Sequence, residues 1–317
     1  GVTGVGISQA YRRRIEGAFG ARGRAWLDEL PELVDRYAAA WRLRDLQPNP
    51  EPSYAWIAYA SSPSGPAVLK LICPNEELLS EADALSELDA SVMCRLLADD
   101  RANGALLLER LDPGTPLRAR RSFDERLEAA AEVFARLHAV RDRPVGKPRE
   151  ADRPAGPAPV HPRYLEQASR AFDVARAEAA RRGLRYATAL VAAEPPGTPE
   201  RLLHADLHHD NILRSGEEWR VIDPKGAFGP RALEAGRFII NQLGESAPEV
   251  RSDEFERMVV RFAEALRVPE AGVAAGAALD ATVSACWSLE DGEPYEAVAG
   301  AGRRALEVQR LADRWVE

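Results

Sequence analysis

Residues 202–226 read LLHADLHHDNILRSGEEWRVIDPKG. At its centre, HADLHHDN (204–211) holds three of the five histidines in the chain, with two aspartates and an asparagine. Histidine and aspartate this close together can hold a metal, serve a phosphoryl-transfer loop or merely form a polar turn, and the surrounding sequence has to decide. The stretch closes on RVIDPKG, an apolar strand that delivers Asp223 into a Pro and Gly turn.

The chain around it has 317 residues, 45% of them hydrophobic, enough to bury a large core and divide into two lobes or domains. A net charge of -8 gives no general attraction to nucleic acid or to an anionic membrane. No apolar run approaches the roughly 18 residues of a membrane span, and the N-terminal residues lack the basic-then-apolar order of a signal peptide. A cytoplasmic protein, monomer or homodimer, is expected. Cys73, Cys94 and Cys286 are widely spaced and outside any CxxC pattern, which points to reduced thiols rather than to disulfides or a zinc site. Of the 42 basic residues only Lys70, Lys147 and Lys225 are lysine. In so arginine-rich a chain, a retained lysine marks a place that wants a compact point charge.

The pattern along the chain is that of an α+β protein. RAWLDELPELVDRYAAAW spaces Trp26, Leu27, Leu30, Leu33, Val34 and Tyr37 at helical intervals, with Pro31 expected near a helix start or break. The extreme N-terminal GVTGVG imitates a glycine loop, but no strand precedes it. WRLRDL, YAWIAYA and PAVLKLI read as three strands of an antiparallel meander, NEELLSEADALSELDA as one helix, and VMCRLL and GALLLERL as two further strands. After DPGTP the chain turns helical, with Ser122 and Glu125 in capping-box spacing ahead of one helix and RYLEQASRAFDVARAEAARR forming another. Between these helices, residues 141–162 hold six prolines and fit no regular element.

Three residues of the opening stretch carry a chemical pattern. His204, Asp206 and Asn211 stand as H-x-D-x-x-x-x-N, in which an aspartate orients the proton of an attacking hydroxyl and an asparagine five residues on turns back to a magnesium ion. A metal-dependent hydrolase would instead use the histidines as ligands, but His138 and His161 lie far off with no acidic partner at ligand spacing. Neighbouring signals favour phosphoryl transfer. Asp223 at a strand end suits a second magnesium ligand, Lys70 lies in the third strand, and Glu81 lies in the one helix that follows it. A lysine so placed can hold nucleotide phosphates if a helix glutamate fixes its ammonium.

VLK, the glutamate of SEADAL, HADLHHDN and IDPKG together resemble the aminoglycoside phosphotransferase branch of the protein-kinase-like fold. LLHADLHHDNIL and WRVIDPKGAFGP, with WLDELP and AVLKL upstream, are similar to the streptomycin 6-kinase and hydroxyurea phosphotransferase group of antibiotic-resistance kinases, over nearly the full chain from about Gly17. The resemblance implies a bilobal fold. Residues 1–108 would form a nucleotide-binding lobe with a five-stranded antiparallel sheet and a helical extension at 1–40, residues 109–113 a hinge, and residues 114–317 a helical lobe with the catalytic loop and acceptor site. It implies ATP and Mg2+ as cofactors, Asp206 and His204 as the catalytic residues, with Asp206 the catalytic aspartate and His204 bracing its loop, and Asn211 and Asp223 as metal ligands. Lys70 and Glu81 would position the phosphates, backbone near Glu109 and Leu111 would meet the base, and Leu213 and Ile222 would lie beneath it.

Several positions depart from that pattern. Ala205 stands where the family usually has glycine. The G-x-G-x-x-G loop is absent, so PNPEPSYA (48–55) would cover the phosphates with backbone and Ser53. Glu234, in GPRALEAGRF, takes the place of a family aspartate on the acceptor side. The acceptor is expected to be a small molecule carrying a hydroxyl, an aminoglycoside or related amino sugar, with a metabolic glucosamine-like sugar kinase as the alternative. A polycationic sugar wants carboxylates, and the stretch from Asp280 to Ala297 has five acids and no base, interleaved with Trp287 and Tyr295. Trp287, Glu290 and Asp291 are its first candidates, while Lys225 would either meet the transferred phosphate or cap its turn. His208, His209 and Asp210 receive no role.

Overall fold

The computed structural model describes residues 5–139, 177–195, 201–290 and 294–316. The proline-rich stretch 141–162, with Lys147 and His161, most of the helix expected after it, and Asp291 all lie outside the described residues.

Helix α1 (Gln9–Ala40) opens on Ser8, whose hydroxyl accepts the Tyr11 N–H at 3.0 Å. Its backbone departs from helical geometry at Gly20 (φ 59, ψ -134), whereas Pro31, expected near a helix start or break, lies inside continuous helix. Glycine tolerates that angle at no steric cost, so the kink falls there. Strands β1 (Arg44–Pro48), β2 (Trp56–Ser62), β3 (Gly65–Leu71), β4 (Leu96–Asp100) and β5 (Ala105–Glu109) form an antiparallel sheet in the order β1-β2-β3-β5-β4. Alternation along the strands divides its residues between two cores. Ala58, Ala67, Leu69, Leu71, Ala105 and Leu107 join the buried stripe of α1, Trp26 to Tyr37, in one cluster. Leu106 and Leu108 face the other way, into a larger cluster that runs through helix α2 (Glu76–Glu87) to the helices of the C-terminal half.

One strand was misplaced by the sequence reading. VMCRLL (92–97) was expected to form it, but β4 starts at Leu96. Met93 and Cys94 are buried, and their backbone is engaged elsewhere: Met93 bridges Val221, and the Cys94 N–H donates to the Val221 carbonyl at 2.9 Å. The apolar run stitches the sheet to the strand that leads into Asp223.

The C-terminal half is mainly helical. Strand β6 (Pro113–Pro116) leads to α3 (Phe123–Leu137), capped by Ser122. Helix α4 (Ala177–Ala192) precedes the strand pairs β7 (Arg201–Leu203) with β10 (Ala227–Gly229) and β8 (Ile212–Ser215) with β9 (Glu218–Val221). Helices α5 (Gly236–Glu245), α6 (Arg251–Leu266), α7 (Glu270–Glu290) and α8 (Tyr295–Ala312) complete it, giving eight α-helices among the described residues. Phe134, Phe238 and Phe262 meet edge to face at their centre. No described helix is long and apolar enough to cross a membrane.

Candidate active site

Lys70, on the inner face of β3, pairs in register with Ile57 of β2 and Leu106 of β5. Its ammonium lies 2.6 Å from Glu81 Oε1 on α2 and 3.3 Å from Asp223 Oδ1 beyond β9. Lys70 is 8% exposed and Glu81 7%, so each charge would be costly alone. Burial by itself would depress the ammonium, but the carboxylates of Glu81 and Asp223 outweigh it and hold Lys70 above the ordinary lysine value. Three separate elements thus converge on one cation.

The turn around Asp223 is shaped for close approach. Asp223 (φ 55) and Gly226 (φ 69) are both left-handed, and a Cβ on Gly226 would stand 2.6 Å from the Ser80 carbonyl of α2. The side chain of Asp223 remains 45% exposed.

The loop after β7 is held from inside. His204 is fully buried; its Nδ1 accepts the Asp206 N–H at 3.2 Å, which leaves Nε2–H to donate to the Ile222 carbonyl at 2.7 Å. Desolvation lowers its pKa, so the ring stays neutral. It cannot reach a substrate, and its place among the catalytic residues is corrected to that of a positioning residue. Ala205 adopts φ 66. Glycine would take this geometry freely, while alanine costs roughly 1–2 kcal/mol.

Glu234 offsets that cost, and its expected acceptor-side role is a second correction. It is 2% exposed, accepts the His204 N–H and the Ala205 N–H at 2.9 Å each, and meets His138 Nε2 at 2.7 Å. Burial would raise its pKa, but the hydrogen bond and charge of His138 outweigh burial and hold it low. A buried carboxylate that serves two loop amides belongs to the scaffold.

With the loop so held, the Asn211 side-chain amide nitrogen donates to the Asp206 carbonyl at 2.9 Å, and among the described residues its oxygen has no hydrogen-bond donor. The Asp206 carboxylate lies 3.8 Å from His208 Nε2 and 3.8 Å from Arg237 Nε. Asn211 and Asp223 therefore offer hard oxygen donors, the chemistry that Mg2+ takes when phosphates and water complete its shell. The histidines fit a metal poorly. His204 is committed at both ring nitrogens, and His209 Nε2 is bound to Gln242 Oε1 at 2.8 Å.

Two of the residues left without a role, His209 and Asp210, anchor the loop. His209 stacks on Phe238 at 4.1 Å between centroids, and desolvation lowers its pKa to about 4. Asp210 accepts from Arg118 Nε at 2.7 Å, and Arg118 also pairs with Glu245 of α5. Arg126 of α3 completes the strap through Glu245 at 2.8 Å and Gln242 at 3.2 Å.

On the other side of Asp206 stands a wall that sequence reading only partly foresaw. Arg237 donates to Asp280 at 2.8 Å and Ser284 at 3.0 Å, and its guanidinium lies 5.5 Å from the Trp287 ring centroid. Lys225 Nζ lies 6.0 Å from the same centroid, while its N–H caps the His204 carbonyl at 2.8 Å. Desolvation raises the Asp280 carboxyl against the opposing pull of Arg237. Arg237 was missed because arginine is the default cation of this chain and no spacing marks it. Of the expected acceptor carboxylates, Asp291 is outside the described residues and Glu290 ends α7 without a described side chain.

Toward the expected base site, the Glu109 N–H donates to the Arg95 carbonyl at 2.9 Å and its carboxylate accepts from Arg220 at 2.8 Å and 3.0 Å. That confines any contact from Glu109 to its carbonyl. Leu111 is buried, Leu213 and Ile222 are half-buried on β8 and just past β9, and Ser53 is exposed in the β1–β2 turn.

A lysine held between a helix glutamate and the aspartate beyond β9, together with an aspartate and an asparagine on the loop after β7, is the arrangement of a kinase-like phosphotransferase site on a kinase-like fold. Solved structures share this fold: amicoumacin kinase (TM-score 0.62, 14% identity, 90% of this chain and 95% of that one) and aminoglycoside phosphotransferase APH(4)-Ia (TM-score 0.61, 17% identity, 89% and 99%). At such identities the likeness speaks to fold alone. Residues 56–292 match the family described as aminoglycoside/hydroxyurea antibiotic resistance kinase. The chain is 30% identical to streptomycin 6-kinase of Streptomyces griseus, across 90% of this chain and 91% of that protein. It is 35% identical to hydroxyurea phosphotransferase of Kitasatospora aureofaciens, across 86% and 77%. The chain belongs to the aminoglycoside/hydroxyurea antibiotic resistance kinase family and is a phosphotransferase.

Proposed function

We propose that this protein transfers the γ-phosphoryl group of ATP, with Mg2+, to a hydroxyl of a streptomycin-like aminoglycoside. The observation that supports the reading is the convergence of Lys70 on both Glu81 and Asp223, as expected of a lysine that holds phosphates next to a carboxylate that holds a metal. Residues 1–108 would bind the nucleotide, 109–113 act as hinge with Leu111 against the base, and 114–317 hold the acceptor. Asn211 and Asp223 would hold the magnesium, whose charge, when bound, neutralises the phosphate oxygens. Asp206 would orient the acceptor hydroxyl and take its proton as the oxygen bonds to the γ-phosphorus and the bond to the departing ADP breaks. Lys70 would hold the phosphates, and positioning would supply most of the rate.

The acceptor wall offers the Trp287 ring, against which the flat face of a sugar can pack. Streptomycin leads because two of the relatives carry that name over most of this chain. The test is ATP turnover against a panel of aminoglycosides, simple amino sugars and hydroxyurea. Streptomycin-like compounds are expected to stimulate it, and Asp206→Ala to abolish it with nucleotide binding retained. Stimulation by glucosamine alone, or near-normal turnover in Asp206→Ala, would overturn the proposal.

A further inference from the structure

The β1–β2 turn, NPEPSYA at 49–55, contains no glycine, yet it lies where a glycine loop would cover the phosphates. It sits beside Lys70, because Ile57, two residues past its end, is the register partner of Lys70. Few of its N–H groups can serve a ligand. Pro50 and Pro52 have none, the Asn49 N–H donates to the Ile57 carbonyl at 2.8 Å, and the Glu51 N–H donates to Asn49 Oδ1 at 3.1 Å. Ser53, Tyr54 and Ala55 remain, and none of their N–H groups donates within the described residues.

Helix α1 holds the opposite side of the same peptides. Arg14 donates to the Pro52 carbonyl at 2.6 Å and the Ser53 carbonyl at 3.2 Å, and the Tyr11 hydroxyl donates to the Tyr54 carbonyl at 3.1 Å. Tyr11 and Arg14 are three residues apart and so share one face of the helix. In a planar trans peptide the carbonyl and the next N–H point in opposite directions. Three consecutive carbonyls drawn toward α1 therefore turn the N–H groups of Ser53, Tyr54 and Ala55 away from it, and successive turn N–H groups that face one way can bind an anion. Trp56 Nε1 donates to the Val5 carbonyl at 3.2 Å, which fastens the end of the turn to the segment before α1.

We propose that Arg14 and Tyr11 are positioning residues for nucleotide phosphate binding: from α1 they hold the Pro52–Tyr54 carbonyls so that the next three N–H groups face the phosphates in place of a glycine loop. This rests on the kinase reading above. Arg14→Met is expected to weaken binding of MgATP about tenfold, roughly the loss of one hydrogen bond to a charged group, and leave adenosine binding unchanged. Arg14→Lys should recover part of the loss, and KM for ATP should rise with kcat at saturating ATP nearly constant. Tyr11→Phe, which removes one hydroxyl, should act in the same direction and carries the test if Arg14→Met does not fold. Lys70→Ala separates the two ideas, since it should also weaken ATP selectively. If Lys70→Ala leaves ATP binding intact, the nucleotide-site reading fails. If Lys70→Ala weakens it but both α1 variants bind ATP normally, or lose ATP and adenosine equally, the role given to α1 is overturned.

Discussion

Removing one carboxylate oxygen at position 234 would leave His138 and two backbone amides of the catalytic loop competing for the single acceptor that remains. The new side-chain NH2 of Glu234→Gln would also face a donor, in a site with almost no access to water. We expect this variant to lose about 2–4 kcal/mol of stability, read from urea denaturation, with turnover falling more than nucleotide affinity. The reason for the unequal effect is Ala205: its left-handed backbone is disfavoured and is held by the Glu234 bond. If Glu234→Gln matched the wild type in both measurements, the carboxylate would not be supporting the loop. At this scale the sequence was a partial guide. Asp206, Asn211, Asp223, Lys70 and Glu81 stood out because each is a chemically unusual choice at its place. Arg237 and Asp280 did not, since an arginine in an arginine-rich chain and an acid in an acidic stretch carry no local signal.

Helix α2 and the turn after β9 form one working element although well over a hundred residues separate them. Gly226 is where they touch: a Cβ added there would stand 2.6 Å from the Ser80 carbonyl oxygen and 3.0 Å from the Ala84 Cβ. A methyl group at Gly226 must push α2 outward or distort the turn, and its left-handed φ adds strain. Gly226→Ala is expected to destabilise the protein by about 1–3 kcal/mol and to weaken MgATP binding together, because displacing α2 moves Glu81 relative to Lys70 and Asp223. Unchanged affinity in a folded Gly226→Ala variant would show that the contact does not position Glu81. Most strands and helices could be read from periodicity. The displaced β4 and the kink at Gly20 could not, because a buried apolar run looks alike whether it joins a sheet or bridges to another strand.

Over the whole molecule, pH enters through histidines buried in the neutral form. The pKa of His209 falls from 6.5 in the unfolded chain to about 4 in the fold, and that of His204 is also lowered. The unfolded state therefore binds more protons below pH 6.5, and stability is full above that value and declines as pH falls toward 4. Between pH 6.5 and 5 His209 and His204 contribute to this loss, while Glu234 and Asp210, held below their ordinary carboxylate values, add theirs at lower pH. Denaturation midpoints at pH 7.5 and 5 should therefore fall less in His209→Gln than in the wild type; an equal fall would remove His209 as the source.

The same scale separates what each level of description decided. The sequence by itself determined the α+β character, the strand carrying Lys70, the helix carrying Glu81 and the H-x-D-x-x-x-x-N loop, because periodicity and residue chemistry are local properties. Tertiary structure alone decided that Glu234 faces inward to the loop amides, that His209 and Asp210 anchor the loop to α5 and Arg118, and that Arg14 and Tyr11 reach the β1–β2 turn. Those assignments depend on which distant elements meet. No single segment encodes that, since it follows from how the two faces of one sheet and the helices around them bury their apolar surface together.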